Sequence, residues 1–238
     1  MIVYFILIVT VLGSGSLVFL FRQDDQRVLK FLLAFSGAFL MGITFLKLIP
    51  EVFSKPAMLT GIFVLFGFLL QLSLELITEG AEHGHKHAHS DNEKVSPFLL
   101  LIGLCIHSFL EGMPIVASFD MKLQHTIVLG IVVHNIPISL TLMSLFLHYG
   151  CSKSRAFIYL MIFALMTPMG SLLSNILEAS MTTSLEIYFN YILAVVIGIF
   201  LHVSTSILFE TEENHHYNLR KFITVCIGLA VAFVISIM

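Results

Sequence analysis

The sequence predicts an all-α, polytopic membrane protein: a bundle of eight transmembrane helices with inverted-repeat character. Two observations point there first. Of 238 residues, 58% are hydrophobic and only 11% are charged, far too few charges to cover a soluble domain of this length. Apolar stretches of about 18 residues or more, nearly free of charge, recur along the whole chain, and each is long enough to cross a bilayer. The connections between them are short, so residues 1–238 read as a single transmembrane domain with no separate water-soluble part.

Taken in order, the first span is expected at 2–21. Met1 to Phe21 has neither the basic start nor the small-residue cleavage site of a signal peptide, and Arg22 flanks it as the end of a retained helix. The second span covers 30–50, with Lys47 near its end and able to snorkel. The third covers 58–78. A polar segment, 79–96, follows and carries His83, His85, His87 and His89; it reads as a disordered cytoplasmic loop. The remaining spans fall at 97–118, 125–148, 156–178, 187–209 and 221–237.

Charge placement orients the bundle. With the N-terminus outside, the inner connections hold Arg22, Arg27, Lys30, Lys86, Lys94, Lys153, Arg155, Arg220 and Lys221, whereas the outer side keeps Lys47, Lys55 and Lys122. That asymmetry satisfies the positive-inside rule with both termini outside. A multi-pass protein of the plasma or cytoplasmic membrane is expected. A faint repeat agrees: Gly37-Ala38-Phe39-Leu40 with Thr44 and Glu51 in span two resembles Gly198-Ile199-Phe200-Leu201 with Thr205 and Glu212 in span seven. The two spans run oppositely, as an inverted repeat requires.

Several classes of function are disfavoured. Cys105, Cys151 and Cys226 form no CxxC pair, so neither a disulfide framework nor a thiolate cluster is indicated. No basic, aromatic-interleaved surface suggests nucleic acid. The HExxH pattern of intramembrane zinc proteases is missing.

The chemistry concentrates in spans four and five. Span four reads Ile106-His107-Ser108-Phe109-Leu110-Glu111-Gly112-Met113-Pro114. His107 and Glu111 are four apart and share a helix face, which Pro114 and Ser118 would continue. An intramembrane carboxylate is costly unless it meets a partner, water or a metal, and imidazole with carboxylate suits zinc and similar ions. Span five supplies Val133-His134-Asn135-Ile136-Pro137. Pro137 is expected to free the carbonyl of Val133, and Pro114 that of Leu110, leaving acceptors at membrane depth that belong in a cavity. The competing reading is a helix–helix hydrogen bond among His107, Glu111 and His134.

Other polar residues are less specific. Gln71 and Glu75 share one side of span three, continued by Glu79 and Glu82, and read either as a cytoplasmic exit lane or as the end of a span. His202 and Glu210 share a face of span seven. Ser171 and Ser174, after Pro168, read as small packing residues. The alternating histidines of 83–89, with His215 and His216, suit a weak metal buffer or sensor.

At these residues the sequence resembles the ZIP (Zrt/Irt-like) family of metal transporters. The pattern His107-Ser108-x-x-Glu111-Gly112 is similar to its fourth-span signature and His134-Asn135-x-Pro137 to its fifth; Ser36 to Glu51, Gly67 to Glu75, Thr167-Pro168-x-Gly170 and Leu201-His202 resemble weaker parts of spans two, three, six and seven. The resemblance implies eight helices, outside termini, a metal held between spans four and five, and ATP-independent uptake of Zn²⁺, Fe²⁺ or Mn²⁺ towards the cytoplasm. This chain departs from the pattern at Ile138, where a Glu is usual, at Ser108 and Leu110, and at Thr167, where some relatives place an acidic ligand for a second metal.

The expectation is therefore a transporter of a zinc-like divalent ion through one site. His107, Glu111 and His134 form its core, with Asn135 and Ser108 auxiliary. Beyond the transported ion no cofactor is expected, and the partners are the ion, the bilayer and, by expectation, a second copy in a homodimer. The alternative is a membrane-embedded zinc-dependent hydrolase built on the same ligands, with Glu111 as base.

Overall fold

The computed structural model describes residues 2–19, 26–54, 59–78, 97–117, 119–180, 186–209 and 219–237, and every regular element among them is helical. The histidine-rich segment 79–96, together with Glu210, Glu212, His215 and His216, lies outside the described residues.

Helix α1, Ile2–Ser16, ends in a 3₁₀ turn, Leu17–Phe19. Helix α2, Gln26–Ile43, runs through a π-helical turn, Thr44–Leu48, into the short α3, Ile49–Phe53. Pro50, in the first turn of α3, has no N–H for the usual bond to Leu46, and the wider turn accommodates it: Ile49 N–H donates to Thr44 O, five residues back. The others are α4 Thr60–Thr78, α5 Pro97–Gly112, α6 Met121–His148, α7 Lys153–Ser180, α8 Glu186–Phe209 and α9 Leu219–Ile237.

Seven of these segments are long and apolar enough to cross a membrane. The expected fourth span is different. Helix α5 stops at Gly112 after 16 residues, about 24 Å at 1.5 Å per residue, short of a hydrocarbon core of about 30 Å. Pro114 follows the end of the helix instead of kinking it. The Leu110 carbonyl expected to be free is not: Met113 N–H donates to it at 3.1 Å. From there to Ala117 the chain turns irregularly, held by α7. Ser171 Oγ donates to Ile115 O at 2.7 Å, Asn175 Nδ2 donates to the same oxygen at 2.9 Å, and Ala117 N–H donates to Asn175 Oδ1. Non-helical backbone at this depth is tolerable because protein satisfies it. Ser171, expected only to pack, is one of the clamps.

The helices pair by parity. Contacts are heaviest between α4 and α8, α2 and α9, α5 and α7, and α1 and α6. These are spans three with seven, two with eight, four with six and one with five. Along α4 and α8 the contacts progress together: Phe63 stacks on Tyr191, then Phe68 meets His202, then Glu75 meets Ser206. That pair therefore runs in one direction, as spans of the same parity must. Exchanging spans one with six, two with seven, three with eight and four with five carries the four pairs onto each other and swaps helices of opposite direction. That is the packing of an inverted repeat. The α2·α6 and α4·α5 contacts stand outside this symmetry.

Close approach decides two of the crossings. A Cβ on Gly67 would overlap the Val195 carbonyl and one on Gly198 that of Val64, and Gly112 and Gly170 likewise meet the backbones of Thr167 and Phe109. Small residues let helix backbones touch where water cannot drive association.

Two large buried cores result, beside a small one of Val116 and Phe189. One joins α2, the first half of α6, α8 and Ala232 of α9 around Phe39, Ile43, Ile127, Ile131 and Phe200. The other joins α1, α5, the second half of α6 and α7 around Leu104, Leu142, Phe146 and Phe163. Outside them, Ile62, Leu65 and Phe66 of α4, Leu172 and Ile176 of α7, and Phe222 and Phe233 of α9 are exposed. In water such a belt would be a liability; in lipid it is the solvent-facing surface.

Candidate metal centre

The candidate site lies where the two cores meet, on α5 and α6. His107 and Glu111 stack on one face of α5, as their spacing requires, and His107 Nε2 stands 3.0 Å from Glu111 Oε1. His134, from α6, brings its Nε2 to 4.0 Å from the same oxygen, with the two imidazole rings 6.0 Å apart and nearly perpendicular. All three side chains are at most 1% exposed. One ligand atom from each falls within 4.8 Å of the other two. Residues from two helices thus converge into a pocket of ligand size.

The electrostatics of this arrangement are one-sided. Among the described residues neither Glu111 oxygen receives a hydrogen bond of acceptable geometry. The 3.0 Å approach of His107 Nε2 to Glu111 is therefore a close contact of two ligand atoms, not a directed N–H···O bond. The other ring nitrogen explains it. His107 Nδ1 lies 2.8 Å from Gln71 Oε1, a buried contact reaching across from α4. With the Gln71 amide oxygen as the facing atom, which can only accept, Nδ1 is the ring nitrogen assigned the proton. In a neutral ring that leaves Nε2 with its lone pair towards Glu111. Carboxylate and lone pair facing each other in a dry pocket are stable with a cation between them.

The auxiliary residues divide. Asn135, next to His134 on α6, is 1% exposed and its Oδ1 accepts no hydrogen bond among the described residues. Ser108 shares a hydrogen bond with Thr167 of α7, 2.7 Å between hydroxyl oxygens. Its hydroxyl is thereby tied to α7. Pro137 lies within α6, which continues through it. Pro114 and position 118 fall beyond the end of α5, so the stripe of His107 and Glu111 stops at the helix terminus.

Gln71 is the member that spacing alone does not assign to this site. A glutamine four residues before a glutamate on an apolar helix is visible as a polar face, but its target, 36 residues away, is not. One turn on, Glu75 Oε2 lies 3.4 Å from His202 Nε2 of α8 and 3.4 Å from Ser206 Oγ. The edge of His202 meets Phe68. So α4 presents Gln71 to the central cluster and Glu75 to a second, more exposed histidine.

Comparison with known proteins decides the family. Residues 78–236, about two thirds of the chain, match the profile described as ZIP Zinc transporter. The chain belongs to the ZIP zinc transporter family. The match begins at the end of α4, so the family pattern read in spans two and three lies outside it. Among relatives, protein zntD of Dictyostelium discoideum is 27% identical over 67% of this chain and 25% of its own length. Zinc transporter ZIP9 of Micropogonias undulatus is 26% identical over 48% of this chain and 38% of its own. The zinc transporter ZIP13 homolog of Drosophila melanogaster is 21% identical over 90% of this chain and 79% of its own. The chain thus spans only about a quarter to two fifths of the first two relatives, and more than three quarters of the third.

Proposed function

We propose that this ZIP protein carries a divalent transition-metal ion, zinc foremost, across the membrane towards the cytoplasm through one site formed by His107, Glu111 and His134. The observation that carries the reading is the orientation of the ligand atoms. A dry carboxylate, with no hydrogen-bond donor among the described residues, faces the lone-pair nitrogen of an imidazole whose proton is pinned elsewhere. Two imidazoles and one carboxylate are ligands that zinc favours. Three protein ligands leave coordination positions for water, which keeps release feasible.

Each residue then has a task. Glu111 supplies the negative charge that replaces part of the ion's hydration. His107 and His134 donate lone pairs from two helices, and Asn135 Oδ1 adds a neutral oxygen beside them. Gln71 holds His107 in the tautomer that ligates through Nε2, the outer-partner role common around metal-bound histidines. Because Gln71 belongs to α4 while His107 belongs to the α1–α5–α6–α7 core, this bond spans two packing units. A sliding of one against the other would loosen His107 as it moves the ion. Lys and Arg placement supports the orientation of the bundle, the family resemblance supports the inward direction, and membership of a transporter family supports carriage over hydrolysis.

Uptake of ⁶⁵Zn²⁺ into cells or vesicles, comparing wild type with Glu111→Ala and His134→Ala, tests the site. Both variants should lose most of the flux while remaining in the membrane; undiminished flux in both would remove these residues from the pathway. Turnover of a lipid or peptide without metal flux would instead favour a membrane hydrolase.

A further inference from the structure

The three ligand side chains are buried, so an ion reaches them only when packed residues part. The stretch that follows Glu111 and the end of α5, residues 113–117, is built to part on one side only. Its backbone is held by α7: Ile115 O accepts from Ser171 Oγ and Asn175 Nδ2, and Ala117 N–H donates to Asn175 Oδ1. Its side chains face the other packing unit. Ile115 belongs to the core of α2, α6 and α8. Val116 is buried against Phe189, near the start of α8, in a small cluster bordered by Phe119 and Ile192.

The α8 side of that contact is anchored in the same manner. Asn190, the residue after Phe189, is buried, and its Nδ2 donates to Val52 O of α3 at 3.1 Å. An asparagine thus ties each side to its own unit, and what joins Val116 to Phe189 is apolar contact. The distinction matters if the units slide. Breaking a directed hydrogen bond strands a buried polar group. An apolar contact is non-directional, so it can open and re-form after a displacement without that cost.

We infer that Val116 and Phe189 form the outer closure of the ion path, packed together while the site is shut to the outer face and parted when an ion enters. Lys and Arg placement turns this end of the bundle outward. The role as a closure for an ion rests on the carriage proposed above.

The test uses the full chain in proteoliposomes, with Cys105, Cys151 and Cys226 replaced by alanine. Val116→Cys with Phe189→Cys, bridged by a short reducible bis-methanethiosulfonate, should lower ⁶⁵Zn²⁺ flux by at least about tenfold, and reductant should restore it. Full flux in the bridged protein, or cysteines too far apart to bridge, would overturn the inference. A second measurement needs neither bridging nor transport. Leu110, beside Glu111, is partly buried against the same core as Ile115, so Leu110→Cys reports access at the level of the site. Adding Phe189→Ala should speed its labelling by a membrane-impermeant maleimide from the outer face by about tenfold, because truncation removes the packing that favours the closed arrangement. Unchanged labelling would overturn the inference. Faster labelling in a protein that carries no zinc would support the closure and remove the proposed carriage instead.

Discussion

Two histidine–carboxylate contacts sit in this bundle, and their difference shows what burial does to the same chemistry. Glu111 and His107 are 3.0 Å apart with the carboxylate fully buried; Glu75 and His202 are 3.4 Å apart with the glutamate 16% exposed. Glu75 also has the Ser206 hydroxyl beside it. Its charge can be met by solvent, by a hydroxyl and by an imidazole, and it needs no ion. Glu111 has neither solvent nor a hydroxyl donor among the described residues, and its imidazole neighbour turns a lone pair towards it. The carboxylate of the central pair thus takes no hydrogen bond from the described residues, whereas that of the α4–α8 pair has partial exposure and a hydroxyl beside it.

The sharpest way to break this contrast is Glu111→Gln. It should reduce zinc flux by more than the roughly 10–100-fold typical of losing an outer partner, because it removes the sole carboxylate among the proposed ligands. The same change should stabilise the metal-free protein by about 1–3 kcal/mol, since it replaces a buried charge with a neutral isostere. Melting in detergent without metal would then rise by a few degrees while zinc-dependent protection disappears. A variant that loses both flux and metal-free stability would show Glu111 to be structural. His134→Gln should come next, with flux down by at least about tenfold and no gain in metal-free stability, because no buried charge is removed. Zinc titration followed by melting separates the two outcomes.

Much of the fold and the site is legible in the sequence itself. The eight apolar segments, the i,i+4 pair on span four and the His134-Asn135-x-Pro137 run all follow from periodicity and the dryness of the bilayer. Where the structure departs from that reading, tertiary contacts decide. Pro114 looks like a kink in sequence, yet α5 ends before it, because Ser171 and Asn175 of α7 can satisfy the turn that follows. Nothing local to either segment announces that pairing. Gln71 shows the same limit: its helix face is legible, but the 2.8 Å contact with His107 depends on the α4–α5 packing that departs from the repeat symmetry. The π-helical turn at Thr44–Leu48 hides behind Pro50, which predicts some break in bonding but not which kind.

Gln71 supplies the intermediate test. Gln71→Leu removes the acceptor that fixes the His107 tautomer while keeping a similar volume. Metal affinity should fall by about tenfold, less than for either ligand. Cobalt bound in place of zinc gives the decisive signature: its d–d absorption should shift in intensity or position as the imidazole reorients. Weaker binding with an unchanged spectrum would mean that Gln71 only packs.

The smallest effect is expected at the α4–α8 pair. His202→Gln keeps a polar group near Glu75, which retains solvent and the Ser206 hydroxyl, so zinc affinity should stay within about threefold of wild type and stability should change by less than about 1 kcal/mol. Flux is the more searching measurement, because a residue on the way out can alter release without touching binding. A flux loss above about tenfold with affinity intact would mean that exposure does not excuse this pair from the pathway, and that α4 presents two successive stations to the ion: Gln71 through His107, then Glu75 with His202. Flux within about threefold confines the ion's demanding contacts to the buried cluster, where the carboxylate takes no hydrogen bond from any described residue.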